Sequence, residues 1–138
     1  MSRSTMANRR AVLFDKSLEL RDATNPEITA DFVENPIDFP ATKQQFFKAV
    51  VFTPGYSGYA ATTVQWEAVV EVSDQIAGTY TEVGRAILKS ENQQGDEVQI
   101  PLEGSFIEDV LPTANYIRVR TEKVGSPGAL TYGAYLSC

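Results

Sequence analysis

The sequence predicts an all-β fold of two antiparallel sheets packed face to face, arranged either as a jelly roll or as an immunoglobulin-like sandwich. Two stretches alternate apolar and polar side chains with a period of two, which is typical of strands with one buried face. About eight short apolar segments in all are separated by loops rich in glycine and proline. No stretch shows a convincing helical period, so helices should contribute little.

The clearest strand is predicted at residues 64–73, VQWEAVVEVS. Trp66 and the apolar residues that alternate with it point one way, whereas Glu67 and Glu71 point the other, and only Val69 breaks the pattern. At about 3.3 Å per residue the strand spans roughly 30 Å. The face that carries Trp66 therefore needs a second sheet to cover it, while the face with the two glutamates should be wet.

A second clear strand is predicted at residues 115–124, in which Arg118 and Arg120 point outward. If this strand lay beside residues 64–73, its arginines would form cross-strand pairs with Glu67 and Glu71. Exposed pairs of this kind are worth at most about 1 kcal/mol each, so they help to set register rather than hold the fold. We therefore predict that the two strands are neighbours.

The other segments are shorter. Residues 11–14 and 18–20 predict one strand or two, and residues 23–40 carry three prolines, which predicts a long connection with brief extended pieces such as 37–39. Thr42 and Gln45 could cap a helix, but the aromatic and β-branched residues after them favour a strand at 45–52. Further strands are predicted at 80–83, 85–89, 98–102 and 130–136, and Pro101 suggests that the third of these is an edge strand or carries a bulge.

The composition argues against common kinds of catalysis. The chain has no histidine, which removes the commonest general base and metal ligand, and its one cysteine, Cys138, cannot form an internal disulfide. Glu67 and Glu71 would lie about 13 Å apart along one strand, too far for a glycosidase pair, although a carboxylate from a neighbouring strand could complete one. We expect a protein that is not an enzyme, binds no cofactor or metal and is made in a reducing cytoplasm.

The chain divides by charge into a basic arm, residues 1–10, and a single sandwich domain, residues 11–138. Arg3, Arg9 and Arg10 lie in an arm that contains no acid, whereas the whole chain carries a net charge of −6. That charge argues against nucleic-acid binding, and no apolar run reaches the length of a membrane span. The arm is either a solvated tail or a segment that orders on an acidic partner surface.

The loop at residues 53–62, TPGYSGYAAT, is a candidate contact surface because it places Tyr56 and Tyr59 among glycines. The alternative is that a tyrosine folds back over the end of the sandwich. The predicted contact segments are the arm, the proline-rich connection and this loop, and the candidate interface residues are Arg3, Arg9, Arg10, Phe14, Tyr56 and Tyr59.

Residues 111–137, LPTANYIRVRTEKVGSPGALTYGAYLS, are similar to the C-terminal pattern of the cement (decoration) proteins of tailed-phage capsids, which are of the jelly-roll type. In that pattern an arginine-containing strand, a glycine and proline turn and a final strand follow one another. Upstream, PIDFP at 36–40, VQWEAVVEVSD at 64–74 and GTYTEVG at 78–84 resemble the order of segments in the same family. The resemblance covers roughly the last hundred residues.

The resemblance implies a jelly roll that docks on the outer surface of the expanded phage head and bridges neighbouring subunits of the major capsid protein. It further implies a location on the capsid exterior and assembly as a homo-oligomer of two or three copies. The alternative is a carbohydrate-binding sandwich from a phage tail or host-recognition protein, in which Tyr56 or Tyr59 would contact a glycan.

Overall fold

The computed structural model describes residues 19–38, 46–103, 107 and 114–137. These residues form nine β-strands and one short 3-10 turn at Glu91–Gln93. The strands are β1 (Glu19–Arg21), β2 (Phe32–Val33), β3 (Ile37–Asp38), β4 (Phe46–Thr53), β5 (Gln65–Ser73), β6 (Thr81–Leu88), β7 (Asp96–Glu103), β8 (Tyr116–Val124) and β9 (Gly133–Ser137).

The strands pair in a nested, antiparallel order. β1 pairs with β9, β2 and β3 pair with successive parts of β8, β4 pairs with β7, and β5 pairs with β6. The two halves of the chain thus run alongside each other as one long hairpin. This hairpin wraps into sheet one, with the order β1-β9-β4-β7, and sheet two, with the order β2-β8-β5-β6 and β3 also on β8. That is the strand order of a jelly roll, so the predicted fold class is confirmed and the immunoglobulin-like alternative is not adopted.

The inner face of β5 lies at the centre of the core, as its alternation predicts. Its fully buried side chains are Trp66, Ala68, Val70 and Val72. Trp66 also makes two polar contacts: its indole Nε1 donates to the carbonyl oxygen of Gly128 at 2.9 Å, and its backbone N–H donates to the hydroxyl of Tyr56 at 3.2 Å. Trp66 therefore ties β5 to two loops as well as filling the space between the sheets.

The outer face of β5 is also buried, which contradicts the predicted wet face. Val69 is 0% exposed and Glu71 is 4% exposed. Glu71 accepts hydrogen bonds from Nε of Arg118 at 2.6 Å and from Nε of Arg120 at 2.9 Å. The predicted pairing of the two strands is confirmed by the register, which places Glu71 opposite Arg118. Because Glu71 is buried, these bonds satisfy a charge that would otherwise be costly, rather than acting as weak surface pairs.

Glu67 departs from the predicted pairing because its partner is Arg85 of β6, at 2.6 Å, and not an arginine of β8. Arg85 also donates to Glu82 and Glu122, so the charges form one network across three strands. Hydrogen bonding to Arg85 lowers the pKa of Glu82, and hydrogen bonding to Arg120 lowers the pKa of Glu122. The stabilisation from these two carboxylates is therefore present at neutral pH and is lost as the pH falls through their lowered pKa values.

The sequence suggested two separate pieces at 80–83 and 85–89, but the structure forms a single strand, β6, with Gly84 inside it. A Cβ atom at Gly84 would lie 2.5 Å from Cγ2 of Ile100, a residue of β7 in the opposite sheet. The glycine therefore marks a close approach between the two sheets, and not the end of a strand. The pairing of β5 with β6 also shifts register beside this glycine, between Val70 and Glu71.

The prolines act as the sequence predicts. Pro101 lies in β7, which is an edge strand of sheet one. In the described part of the proline-rich connection, residues 23–38, the only strands are the two-residue β2 and β3. The closing strand is shorter than predicted, because it begins at Gly133. Leu130 instead forms an isolated bridge with Ile28 and packs in the core.

We expect the substitution Trp66→Ala to lower the free energy of unfolding by about 3–5 kcal/mol, because it removes a fully buried indole and leaves a cavity. Urea unfolding of the full chain measures this loss. The matched control is Val124→Ala, whose side chain is exposed and which should change stability by less than about 0.5 kcal/mol. A comparable, small loss in both variants would contradict the assignment of the inner face.

Candidate functional site

The structure describes two of the six candidate interface residues. Arg3, Arg9, Arg10 and Phe14 lie outside the described residues, so their predicted role stays a prediction. Tyr56 and Tyr59 are both described, and their rings meet edge to face with centroids 6.2 Å apart. The two tyrosines differ in exposure, because Tyr56 is buried and Tyr59 is half-buried against the core.

The prediction that Tyr56 is an exposed contact residue is wrong, and the alternative that it folds back over the sandwich end is confirmed. It is 4% exposed, its hydroxyl donates to the carbonyl oxygen of Leu88, and the same hydroxyl accepts the N–H of Trp66. These bonds satisfy backbone groups at the adjoining ends of β5 and β6. Burial raises the pKa of the Tyr56 hydroxyl, so it remains a neutral donor.

The feature best suited to binding is an open cleft beside β2. No residue of the loop at 53–62 is among those that form its walls. Its volume is about 390 Å³, which falls within the roughly 300–1,000 Å³ range of small-molecule sites. Arg21 at the end of β1, residues 25–28 and residues 32–35 form its walls. We call this feature the β2 cleft.

The floor of the β2 cleft is a buried polar cluster around Arg21, which is 5% exposed. Its Nη1 donates to Oε2 of Glu34, its Nε donates to the carbonyl oxygen of Tyr132 at 3.0 Å, and its Nη2 donates to the carbonyl oxygen of Pro26 at 2.6 Å. The guanidinium also lies 4.5 Å from the ring centroid of Tyr132. Arg21 therefore joins the end of β1 to Pro26, to Glu34 and, far away in sequence, to Tyr132.

Glu34 is the second member of the cluster and is 7% exposed. Its Oε2 accepts from Arg21 and also from the Tyr132 hydroxyl, at 2.8 Å. Burial raises the pKa of Tyr132, and the nearby charge of Glu34 raises it further, so the phenol stays protonated as a donor. Within the described part of the chain, no donor reaches the other carboxylate oxygen, Oε1, which leaves a buried acceptor available in a residue that lines the cleft.

The rim of the cleft combines apolar and amide side chains. Phe32 is 45% exposed and Val33 is 47% exposed, which makes them two of the few large apolar side chains at the described surface. Asn25 and Asn35 are exposed, and neither side-chain amide makes a hydrogen bond to a described residue. Small-molecule sites combine apolar surface with a few polar groups that fix the ligand, and this cleft offers both.

Sequence reasoning did not find this cleft. The long proline-rich connection was predicted as a contact segment, because such segments are often functional, and it supplies every residue given for the cleft wall except Arg21. The pairing of Arg21 with Glu34 could not be predicted from the sequence, because Arg21 ends β1 of sheet one and Glu34 follows β2 of sheet two.

Comparison with known proteins finds no relative: no protein-family model, no curated protein and no solved structure matches the chain. The described residues contain no group of three or more histidine, cysteine, aspartate or glutamate side chains that could hold a metal ion. Over the same residues, no helix has the length and apolar character needed to cross a membrane.

We expect Arg21→Met to lower the free energy of unfolding by about 3–5 kcal/mol, because it leaves the buried carboxylate of Glu34 without its cation. Adding Glu34→Gln to that variant should restore part of the loss, since a neutral amide costs less to bury. Urea unfolding of the two variants gives both values. Lys89→Met, at an exposed cation, is the control and should change stability by less than about 0.5 kcal/mol. A loss as small as the control's would contradict a structural role for the ion pair.

Proposed function

We propose that this chain is a capsid cement protein, a non-enzymatic structural protein that binds the outer surface of the expanded phage head and bridges neighbouring major capsid protein subunits. The observation that supports this most is where the family-like segments fall. Residues 36–40 include β3, residues 64–74 include β5, residues 78–84 enter β6, and residues 111–137 include β8 and β9. The segments that resemble the cement family are thus strands of one jelly roll.

The carboxylates of sheet two support a structural rather than a catalytic role. A glycosidase needs one carboxyl group whose pKa is raised, so that it can act as an acid near neutral pH. Glu82 and Glu122 have lowered pKa values instead, because arginines donate to them. Glu67 likewise forms an ion pair with Arg85. Glu71 forms ion pairs with Arg118 and Arg120. These side chains form a closed network that stabilises the outer face of the sheet.

Attachment to the head is proposed to depend on the basic arm, with Arg3, Arg9 and Arg10 meeting an acidic surface of the capsid. Phe14 and the half-buried Tyr59 remain candidate contacts. Tyr56 is not proposed as a contact, because it is buried and its hydroxyl donates to the backbone of Leu88. Two or three copies that bind a repeating lattice together would hold on more tightly than one small interface alone.

The test is co-sedimentation of the purified chain with DNA-filled, expanded heads that have been stripped of their decoration, with immature procapsids as the control. We expect saturable binding to the expanded heads alone, because only the expanded lattice would offer the composite site between subunits. Binding to neither form would overturn the cement role and favour a tail or host-recognition module.

The same assay tests the arm. Deleting residues 1–10 should weaken binding to expanded heads at least about tenfold, or about 1.4 kcal/mol, while the unfolding free energy stays unchanged. A chain in which Arg3, Arg9 and Arg10 are all replaced by lysine keeps the charge and should bind nearly normally. Unchanged binding by the deletion variant would mean that the arm is an ordinary tail.

A further inference from the structure

The β2 cleft has a chemistry that the cement role does not use. We propose that it binds a neutral sugar ring, with one C–H face of a pyranose against the ring of Phe32 and a sugar hydroxyl donating to Oε1 of Glu34. The site would belong to the sandwich itself, so it goes beyond the proposed attachment to the capsid and does not depend on the arm.

The exposed ring of Phe32 provides an apolar face for a sugar. It lies on a two-residue edge strand whose backbone is held by β8: Phe32 is opposite Thr121, and the Thr121 hydroxyl donates to the carbonyl oxygen of Phe32 at 3.4 Å. Arg21 lies 5.9 Å from the ring centroid, on the side of the cleft floor. Because the backbone is held and Phe32 is 45% exposed, its ring offers a flat apolar surface, and covering it with the C–H face of a sugar would remove apolar area from water.

Glu34 provides an acceptor for a sugar hydroxyl. Its Oε2 is held by Arg21 and by Tyr132, so the carboxylate is fixed before any ligand arrives. Among the described residues Oε1 has no donor, and a buried acceptor without a partner costs about 1–3 kcal/mol. A ligand hydroxyl would supply that hydrogen bond, and the amides of Asn25 and Asn35 on the rim can donate to and accept from other hydroxyls.

The charges around the cleft favour a neutral ligand over an ion. Arg21 and Glu34 neutralise each other at the floor, and Glu27 lies on the rim. The carboxylates of Glu27 and Glu34 would repel an anion. The guanidinium of Arg21 has no free pair of donors for a phosphate, because its Nε, Nη1 and Nη2 already donate within the protein. The guanidinium of Arg21 would repel a cation. A polyhydroxylated neutral ring meets neither obstacle.

The geometry also argues against a peptide. A peptide that added itself to the sheet edge would need a run of free backbone groups, but β2 is only two residues long. The cleft is compact, at about 390 Å³, and its polar groups converge from several segments rather than lying in a row along a strand. A single small ring matches this arrangement better than an extended chain.

The test is an NMR titration of the full, isotope-labelled chain with methyl glycosides of glucose, galactose and mannose. For at least one of them we expect saturable shifts at the backbone amides of Phe32, Glu34 and Asn35, with a Kd in the range of about 1–10 mM typical of a weak single site. Glucuronate, a sugar ring that carries a carboxylate, is the charged probe and should bind at least tenfold more weakly than the best neutral glycoside.

Three substitutions make the test specific. Phe32→Ala should weaken binding at least tenfold, Phe32→Tyr should retain it, and Val124→Ala, at an exposed apolar residue outside the cleft, should leave it unchanged. Phe32 is exposed, so the spectrum of each variant should still be that of the folded chain.

Absence of shifts with all three neutral glycosides would overturn the proposal, as would binding that survives Phe32→Ala. Stronger binding of glucuronate would show an anion site instead and would also refute it. Because the titration contains no capsid, a chain that binds sugar but not heads refutes only the cement role, and the reverse result refutes only the sugar site.

Discussion

Burial of β5 on both of its faces is the constraint on which the rest of the structure depends. One face is covered by the core around Trp66, and the other is covered by arginines that bind Glu67 and Glu71. A strand buried in this way must lie inside a sheet, with neighbours on both sides, and β6 and β8 provide them. The nested pairing of the remaining strands then follows, because each further pair extends the same long hairpin around this centre.

Two groups of charged side chains have different consequences for function. The network on the outer face of sheet two is shared among three strands, and each of its carboxylates is bound by an arginine, so it closes that surface. The pair formed by Arg21 and Glu34 is more deeply buried, yet it lies beneath an open cleft and leaves one carboxylate oxygen without a donor among the described residues. The chemistry available to a small ligand is therefore concentrated where β1 and β2 meet, and the arm and Tyr59 supply the contacts proposed for the capsid.

The local sequence pattern was sufficient to predict much of the fold but little of the cleft. Alternation identified the inner face of β5, and opposite charges identified β8 as its neighbour, because both signals lie within single strands. The local pattern predicts a strand end at Gly84. The structural reason for the glycine is the close approach of Ile100 in the opposite sheet, which the local sequence does not show. Tyr56 was misjudged for a similar reason, since its hydrogen-bond partners come from two other strands. The cleft depends on Arg21, Glu34 and Tyr132 meeting, which only the three-dimensional pairing of the strands brings about.

The cement role is the central functional claim, and it is tested most directly by a cryo-electron microscopy reconstruction of expanded heads incubated with the purified chain. We expect density for a two-sheet sandwich on the outer surface, placed where neighbouring capsid subunits meet and repeated with the symmetry of the lattice. Density of this shape at the tail, or an outer surface that remains bare at saturating protein, would contradict the role.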